Sequence, residues 1–291
     1  MLLRDTFQTA LRGVTINVSR SLLTMLGIII GVGSVVLMSA IGASMQLVIL
    51  SQISSLGPKS MVIFPGQVEG GPAAAGAGFD SLSFDDIEQL EKLQSIESIA
   101  PVVNLPGEAS YGRETSPSQS FGTHPNFFAN QNIFIEEGRL LDEADEQAAR
   151  YVAVLGPDAQ EELFGSIDPL GKRVKVGENH FTVVGTTKPL GSQFFQNADD
   201  RIYVPLSVAR NITGQKHASY MTMLATDDFD VAFDDVKYLL RFRHGIDNPE
   251  DDPKKDDFVV RSSQQANEIL GGVSLGLTMF ITTIAGISLI V

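Results

Sequence analysis

The chain has 291 residues, with 21 basic, 35 acidic and no cysteine side chains, and a formal net charge of −14. That balance excludes a broad nucleic-acid-binding surface, which needs a basic footprint, and the lack of cysteine excludes disulfides. The apolar residues concentrate in two long runs, one near each end.

Residues 1–20 place Leu3, Phe7, Leu11, Val14 and Val18 on one helical stripe, with Arg4, Arg12 and Arg20 mostly off it. The pattern predicts an interfacial helix on the cytoplasmic leaflet; a short tail without structure is the alternative. No charged residue occurs from Ser21 to Pro58, and the core of that run, Leu22–Gly42, is 21 residues long. At roughly 1.5 Å per residue, such a helix matches a hydrocarbon core of about 30 Å. Three arginines against one acid before the run put the N-terminus in the cytoplasm. Residues from about 45 to 267 are then extracytoplasmic. A cleaved signal peptide is the competing reading, but its apolar core is usually about 7–15 residues. Met45–Leu56 continues in helix-compatible sequence up to Gly57-Pro58. This predicts a membrane helix and stalk over 21–56.

Residues 59–291 carry 18 basic and 34 acidic side chains, a net −16, which reads as a solvated outer surface. The segment between the runs is long enough for one or two domains. Ser60–Phe64 reads as a strand, and Gln67–Asp80, rich in Gly and Ala, as a flexible loop. Ser83 and Asp86 form a capping-box variant ahead of a helix that buries Ile87, Leu90 and Leu93. Ile96–Asn104 and Glu108–Gly112 follow as strands around a Pro-Gly turn. A second region, 124–215, has short strands at Tyr151–Leu155, Arg173–Val176, His180–Val184 and Arg201–Val204, with one helix at Asp158–Phe164. Then Tyr220–Thr226 reads as a strand. Asp227 or Asp228 caps a helix to about His244 that turns Phe233, Val236, Leu239 and Leu240 inward. Gly245 stops that helix, and Asp257–Arg261 is the closing strand. The expected fold class is an α+β extracytoplasmic domain between transmembrane helices. A split βαβ unit, in halves 57–123 and 216–267, holds an inserted, mostly β subdomain at 124–215.

After Glu268 no charge appears through Val291. This predicts a second membrane helix over 268–291, incomplete because no anchoring residues follow it, so the natural protein is expected to continue. Gly27 with Gly31, and Gly272 with Gly276, are G-x-x-x-G pairs. They suit close helix packing in lipid, although Gly is common in membrane helices generally. No catalytic, cofactor-binding or metal site is expected. Gly165–Arg173 resembles a phosphate-binding loop but has five residues between its glycines instead of four, and Arg173 where Ser or Thr must stand, so it reads as a turn. His124, His180, His217 and His244 lack paired ligand spacing. The acidic pairs read as a helix cap at Asp227/Asp228 and as solvated loop at Asp251/Asp252 and Asp256/Asp257.

Arg20–Val36 closely resembles the first span of MacB-type ABC transporter permeases, which combine an outer core domain with an FtsX-like membrane domain. Ile53–Gly57 with Val62–Gly66, Glu137–Leu140, Val152–Gly156, Leu163–Gly165 with Pro169–Gly171, Ile202–Leu206, Leu270–Gly272 and Ile284–Val291 resemble that family's segments in order. The resemblance implies a four-span permease in the bacterial plasma membrane, with a porter-like split unit and a sabre-like insertion. It implies pairing as a homodimer and work with an ABC-type ATPase that supplies ATP and magnesium chemistry. A periplasmic adaptor is a further possible partner. Because the chain starts just before the interfacial helix, that ATPase is expected on a separate polypeptide. The implied function is export or extrusion of an antibiotic, peptide or lipid-linked cargo by mechanotransmission. An FtsX-like transmitter acting on an outer partner, or a passive membrane-anchored binding module, are the alternatives.

Overall fold

The computed structural model of the chain describes residues 59–66, 80–193, 196–226 and 228–262, with scattered positions between 18 and 44 and between 276 and 283. It divides into two units, Met1–Ser51 with Asn267–Val291, and Gln52–Ala266. In the first unit the described positions are helical, and large apolar side chains such as Leu23 and Leu37 are 71% and 66% exposed. Among the described residues no helix is long and apolar enough to cross a membrane. The predicted spans, the interfacial helix and the stalk beyond 44 fall wholly or largely outside the described residues, as does the Gly- and Ala-rich loop at 67–79.

The second unit runs β1 (Ser60–Pro65), α1 (Phe84–Leu90), β2 (Ile96–Leu105), β3 (Ala109–Tyr111), β4 (Glu114–Ser116), β5 (Gln119–Thr123), α2 (Asn126–Asn130), β6 (Ile135–Gly138), α3 (Glu143–Gln147), β7 (Val152–Leu155) and α4 (Pro157–Phe164). It continues with β8 (Arg173–Val176), β9 (Asn179–Thr187), β10 (Ser192–Gln193), β11 (Gln196–Asn197), β12 (Arg201–Pro205), α5 (Leu206–Thr213), β13 (Tyr220–Ala225), α6 (Phe229–His244) and β14 (Phe258–Ser262). Twelve strands form one sheet in the order β14-β1-β13-β2-β5-β12-β7-β9-β8-β3-β4, with β6 on β9.

Neighbours among the first four strands of this order are antiparallel. Within them β1-α1-β2 and β13-α6-β14 interleave, so each helical connection joins two parallel strands with an antiparallel strand between. This split arrangement follows from local signals. Ser83 caps α1 in a reciprocal box with Asp86, and Ile87 and Leu90 form the buried side. Asp228 caps α6, and Gly245 ends it in the left-handed region at φ 66°, where its N–H reaches Arg241 O. Of the residues predicted to face inward on α6, Val236 and Leu240 are buried, whereas Phe233 is half-buried and Ala232 takes the inner position. Met61, Ile63, Leu90, Ile99, Met221, Met223 and Val236 close one apolar cluster between these helices and strands.

A second cluster, including Val103, Leu155, Leu163, Phe181, Ile202 and Val208, lies under α4 and α5. A third, on Val102, Phe121, Phe127, Phe128, Val154 and Tyr203, lies under α2. The region 124–215 is richer in helix than its sequence suggests, holding α2, α3, α4 and α5. Helices α2 and α3 have five residues each, too few for a 3.6-residue period to register. Helix α5 follows Pro205 without a side-chain cap and carries β-branched residues, so its propensity is weak.

Strand β5 meets α5 with no room to spare. A Cβ on Gly122 would fall 2.0 Å from Ala209 Cβ, so glycine sets the closeness of helix to sheet. Gly122→Ala is expected to destabilise the chain by about 1–3 kcal/mol through overpacking, seen as a lowered midpoint in urea unfolding. An unchanged midpoint would contradict the packing of α5 on β5.

Candidate functional site

The strand that brings the chain into the outer unit lies beside the strand that takes it out. Met61 pairs with Ser262 of β14 on one side and with Met223 of β13 on the other. The first residue of β1 and the last of β14 thus end level at one end of the sheet. That end is fastened to what surrounds it. Ala225 N donates to Lys59 O at 2.9 Å, and Ser60 Oγ donates to Asn130 O at 3.0 Å. Buried Asn130 accepts from Ser98 Oγ and donates through Nδ2 to Thr222 O at 3.3 Å. It thereby joins α2 to β2 and β13.

The opposite end of β1 is held by a charge network. Gly66 N donates to Asp257 O at 2.8 Å, and Ser81 Oγ to the same oxygen at 2.7 Å. His244 Nδ1 lies 2.7 Å from Asp257 Oδ1, and its Nε2 lies 3.4 Å from Asp86 Oδ2. Arg243 Nε donates to Asp86 Oδ1. Arg241 grips Asp256 with Nε at 2.8 Å and Nη2 at 2.6 Å, and also reaches Asp251, which Lys237 joins. Basic residues close the last turn of α6 while Asp85 and Asp86 open α1, so each charge also complements its helix dipole.

The protonation equilibria follow from these contacts. Burial alone would push Asp86 up, but Ser83, Arg243 and His244 more than reverse it and hold the carboxyl below 3.8. The Asp257 carboxylate, opposed by burial and helped by Asp86, holds His244 above 6.5. Asp256 is likewise lowered, burial being outweighed by Arg241 and Asn248. This corrects the sequence reading of Asp251/Asp252 and Asp256/Asp257 as solvated loop: Asp251, Asp256 and Asp257 are ion-paired, and Asp256 is buried. Their partners lie 10–15 residues away on a helix, a spacing without a sequence signature.

The Glu137–Leu140 segment, which continues from β6 along β9, is tied further by one side chain. Arg139 donates from Nη1 and Nη2 to the fully buried Asp145, the second bond at 3.0 Å. Asp145 also closes a capping box with Asp142 at the start of α3. Burial would raise its pKa, but Arg139 and the Asp142 backbone N–H bond bring it below 3.8.

The other predicted positions are scattered. Gly165 to Arg173 is a turn between α4 and β8, with Leu170 N on Asp168 Oδ1 at 2.9 Å. His124 faces Glu143 at 3.2 Å, His217 stands 4.0 Å from Asp80, and His180 lies on β9. Among the described residues no group of three or more His, Asp or Glu side chains could hold a metal ion. A Cβ on Gly27 or Gly276 would meet nothing within 4 Å; Gly31 and Gly272 lie outside the described residues.

Residues 21–237 match a family described as the MacB-like periplasmic core domain. The chain is 30% identical over 290 residues to the macrolide export ATP-binding/permease protein MacB of Neisseria meningitidis serogroup A, covering 99% of this chain and 43% of that protein. It is 31% identical over 283 residues to the MacB protein of Bdellovibrio bacteriovorus, covering 94% of this chain and 43% of the relative. The chain therefore spans less than half the length of these relatives. Among solved structures, the periplasmic region of MacB from Actinobacillus actinomycetemcomitans superposes with a TM-score of 0.64 at 26% identity, covering 77% of this chain and 97% of that one. The extracellular domain of the transporter YknZ from Gram-positive bacteria shares the fold, with a TM-score of 0.54 at 18% identity over 70% of this chain and all of that one.

Two measurements test the geometry. A histidine held above 6.5 contributes stability that is complete below that pH and fades as pH rises through its elevated pKa. A carboxylate held below 3.8 contributes above that pH and fails below it. The wild-type advantage in thermal midpoint over His244→Gln is therefore greatest between pH 3.8 and 6.5 and shrinks in alkali; an advantage that grows with pH would contradict the pairing. Asp145→Asn removes a charged hydrogen-bond acceptor and is expected to cost about 1.5–3 kcal/mol, read as the shift in unfolding midpoint, with Ala144→Ser as a control that keeps it within about 0.5 kcal/mol.

Proposed function

The chain belongs to the family of MacB-like periplasmic core domains, and from that premise we propose that it is the permease part of a MacB-type ABC transporter. In this reading the N-terminus is cytoplasmic and residues of about 45–267 stand outside the plasma membrane. The run from 21 into the stalk and the run from 268 are membrane helices. The uncovered apolar side chains of the first unit support this, since about 25 cal/mol is lost for each Å² of such surface left in water. An ATPase binds ATP and magnesium, and the permease works as a homodimer, with an adaptor as a further partner. Gly27, Gly31, Gly272 and Gly276 give the helices faces for close approach.

One observation carries the mechanism: the incoming and outgoing strands are hydrogen-bonded neighbours that end level, with Met61 opposite Ser262. Two helices attached there act on the sheet at a single place. A change in their separation or tilt, driven by ATP binding and hydrolysis, turns or displaces the outer domain as a body. The charge network at the far end of β1 keeps α1, α6 and β14 from parting under that load. The cargo, an antibiotic, peptide or lipid-linked molecule, is moved by the outer domains and need not pass between the spans.

The reading depends on a stiff connection. Inserting six Gly/Ser residues directly after Ser262, in the full-length protein reconstituted with its ATPase, is expected to leave ATP hydrolysis running while export falls to background. Export at the wild-type rate would overturn the mechanical reading, and failure of any ATPase to co-purify would overturn the transporter assignment itself.

A further inference from the structure

Strand β12 carries two polar side chains that the fold leaves without acceptors. Arg201 and Tyr203 stand two residues apart, so both project from one face of the sheet. Arg201 is 8% exposed and Tyr203 0%. The guanidinium carbon lies 5.6 Å from the centre of the Phe121 ring. Its Nε is buried without an acceptor, and so is the Tyr203 hydroxyl. The two groups are close enough to influence each other's ionisation through both charge and polar contact, although among the described residues neither Arg201 Nε nor the Tyr203 hydroxyl has a partner at hydrogen-bond distance and geometry. Tyr220, whose ring is 6.2 Å from Phe121, brings a third hydroxyl into the field of the same cation.

A buried arginine normally meets a carboxylate. Here the acid in its field is Asp199, whose carboxylate is turned to Leu190 N at 2.6 Å and Gly191 N at 2.9 Å. Asp200 precedes the strand, and its buried Oδ1 is likewise without a hydrogen-bond partner. What remains is a guanidinium whose carbon lies 5.6 Å from the centre of an aromatic ring, with hydroxyls beside it and, among the described residues, no carboxylate in an ion pair with it. A planar fork of N–H donors matches the oxygens of a carboxylate or phosphate, and the low local dielectric strengthens each bond it makes.

We propose that Arg201 and the Tyr203 hydroxyl, with Tyr220 beside them, form a recognition site for one oxyanion, a carboxylate or phosphate group on a molecule that reaches the outer domain. Phe121 orients the guanidinium, Arg201 supplies the paired donors, and Tyr203 supplies a third. The site is a matter of binding, and it stands or falls separately from any movement of the domain.

The full chain in detergent micelles is titrated with inorganic phosphate, acetate or chloride at matched ionic strength while its thermal midpoint is followed. A saturable rise with phosphate, acetate or both, and none with chloride, is expected. Response to phosphate alone assigns a phosphate-bearing ligand; equal response to acetate extends the class to carboxylates. Arg201→Met should weaken apparent affinity at least about tenfold, and Tyr203→Phe about fivefold. The chain has five tyrosines and no tryptophan, so near-ultraviolet circular dichroism reports on tyrosine, and phosphate should change it less in Tyr203→Phe. If Arg201→Met fails to fold, that spectrum and the Tyr203→Phe affinity decide. No shift in wild type, an equal shift in Arg201→Met, or unaltered affinity and spectrum in Tyr203→Phe would each overturn the site. Any of these leaves the permease reading untouched, because its measurement is the coupling of hydrolysis to export.

Discussion

The pairing of β1 between β14 and β13 is the constraint on which the outer unit depends. β1 begins two residues after the first uncharged run, and β14 ends six residues before Glu268, which the second run follows. Their partners in register are some 200 residues apart, as with Met61 and Ser262. Every element between must fold so that the chain returns to its starting edge. Antiparallel pairing places the two termini of the unit side by side. Such distant pairing has a large loop-closure cost before it is rewarded. With no disulfide to limit the unfolded chain, the three apolar clusters must meet that cost.

Hydrophobic burial holds the sheet and helices together, while the polar contacts determine which ends can part. At the end where the chain comes and goes, the bonds are uncharged and buried, through Ser60, Asn130, Ser98 and Thr222. At the opposite end they are ionic and half-buried, through Asp86, Arg241, Arg243, His244, Asp256 and Asp257. The first kind is insensitive to salt and pH. The second weakens with both, and its members are linked, so the loss of one leaves others partly desolvated.

Between these ends a strip of rings and cations crosses the sheet. Arg261 lies 5.9 Å from the Phe64 ring centre, Phe64 and Tyr220 are 5.6 Å apart, and Phe121 separates Tyr220 from Arg201. It links the outgoing strand to β12, which lies near the middle of the twelve. The buried cation at the inner end of that strip is the point where a bound anion would stiffen it.

Local order was written in the sequence. The Ser83 and Asp86 box, the Asp228 cap, the Gly245 stop, the alternation in Arg173–Val176 and the split βαβ pattern each arise from residues within a turn or strand of one another, and the structure keeps them. The two uncharged runs and the ordered family segments were equally plain, because hydropathy and short motifs are properties of adjacent residues. The sequence could not show that Asp256 would be buried against Arg241, that Arg139 would reach Asp145, or that Arg201 and Tyr203 would share a face without an acceptor. Nor did it show α2, α3 and α5, whose five- or eight-residue lengths are stabilised by the sheet beneath and not by their own periodicity. Charge pairing and burial depend on what another segment brings into contact, and only the closing of β14 onto β1 settles that.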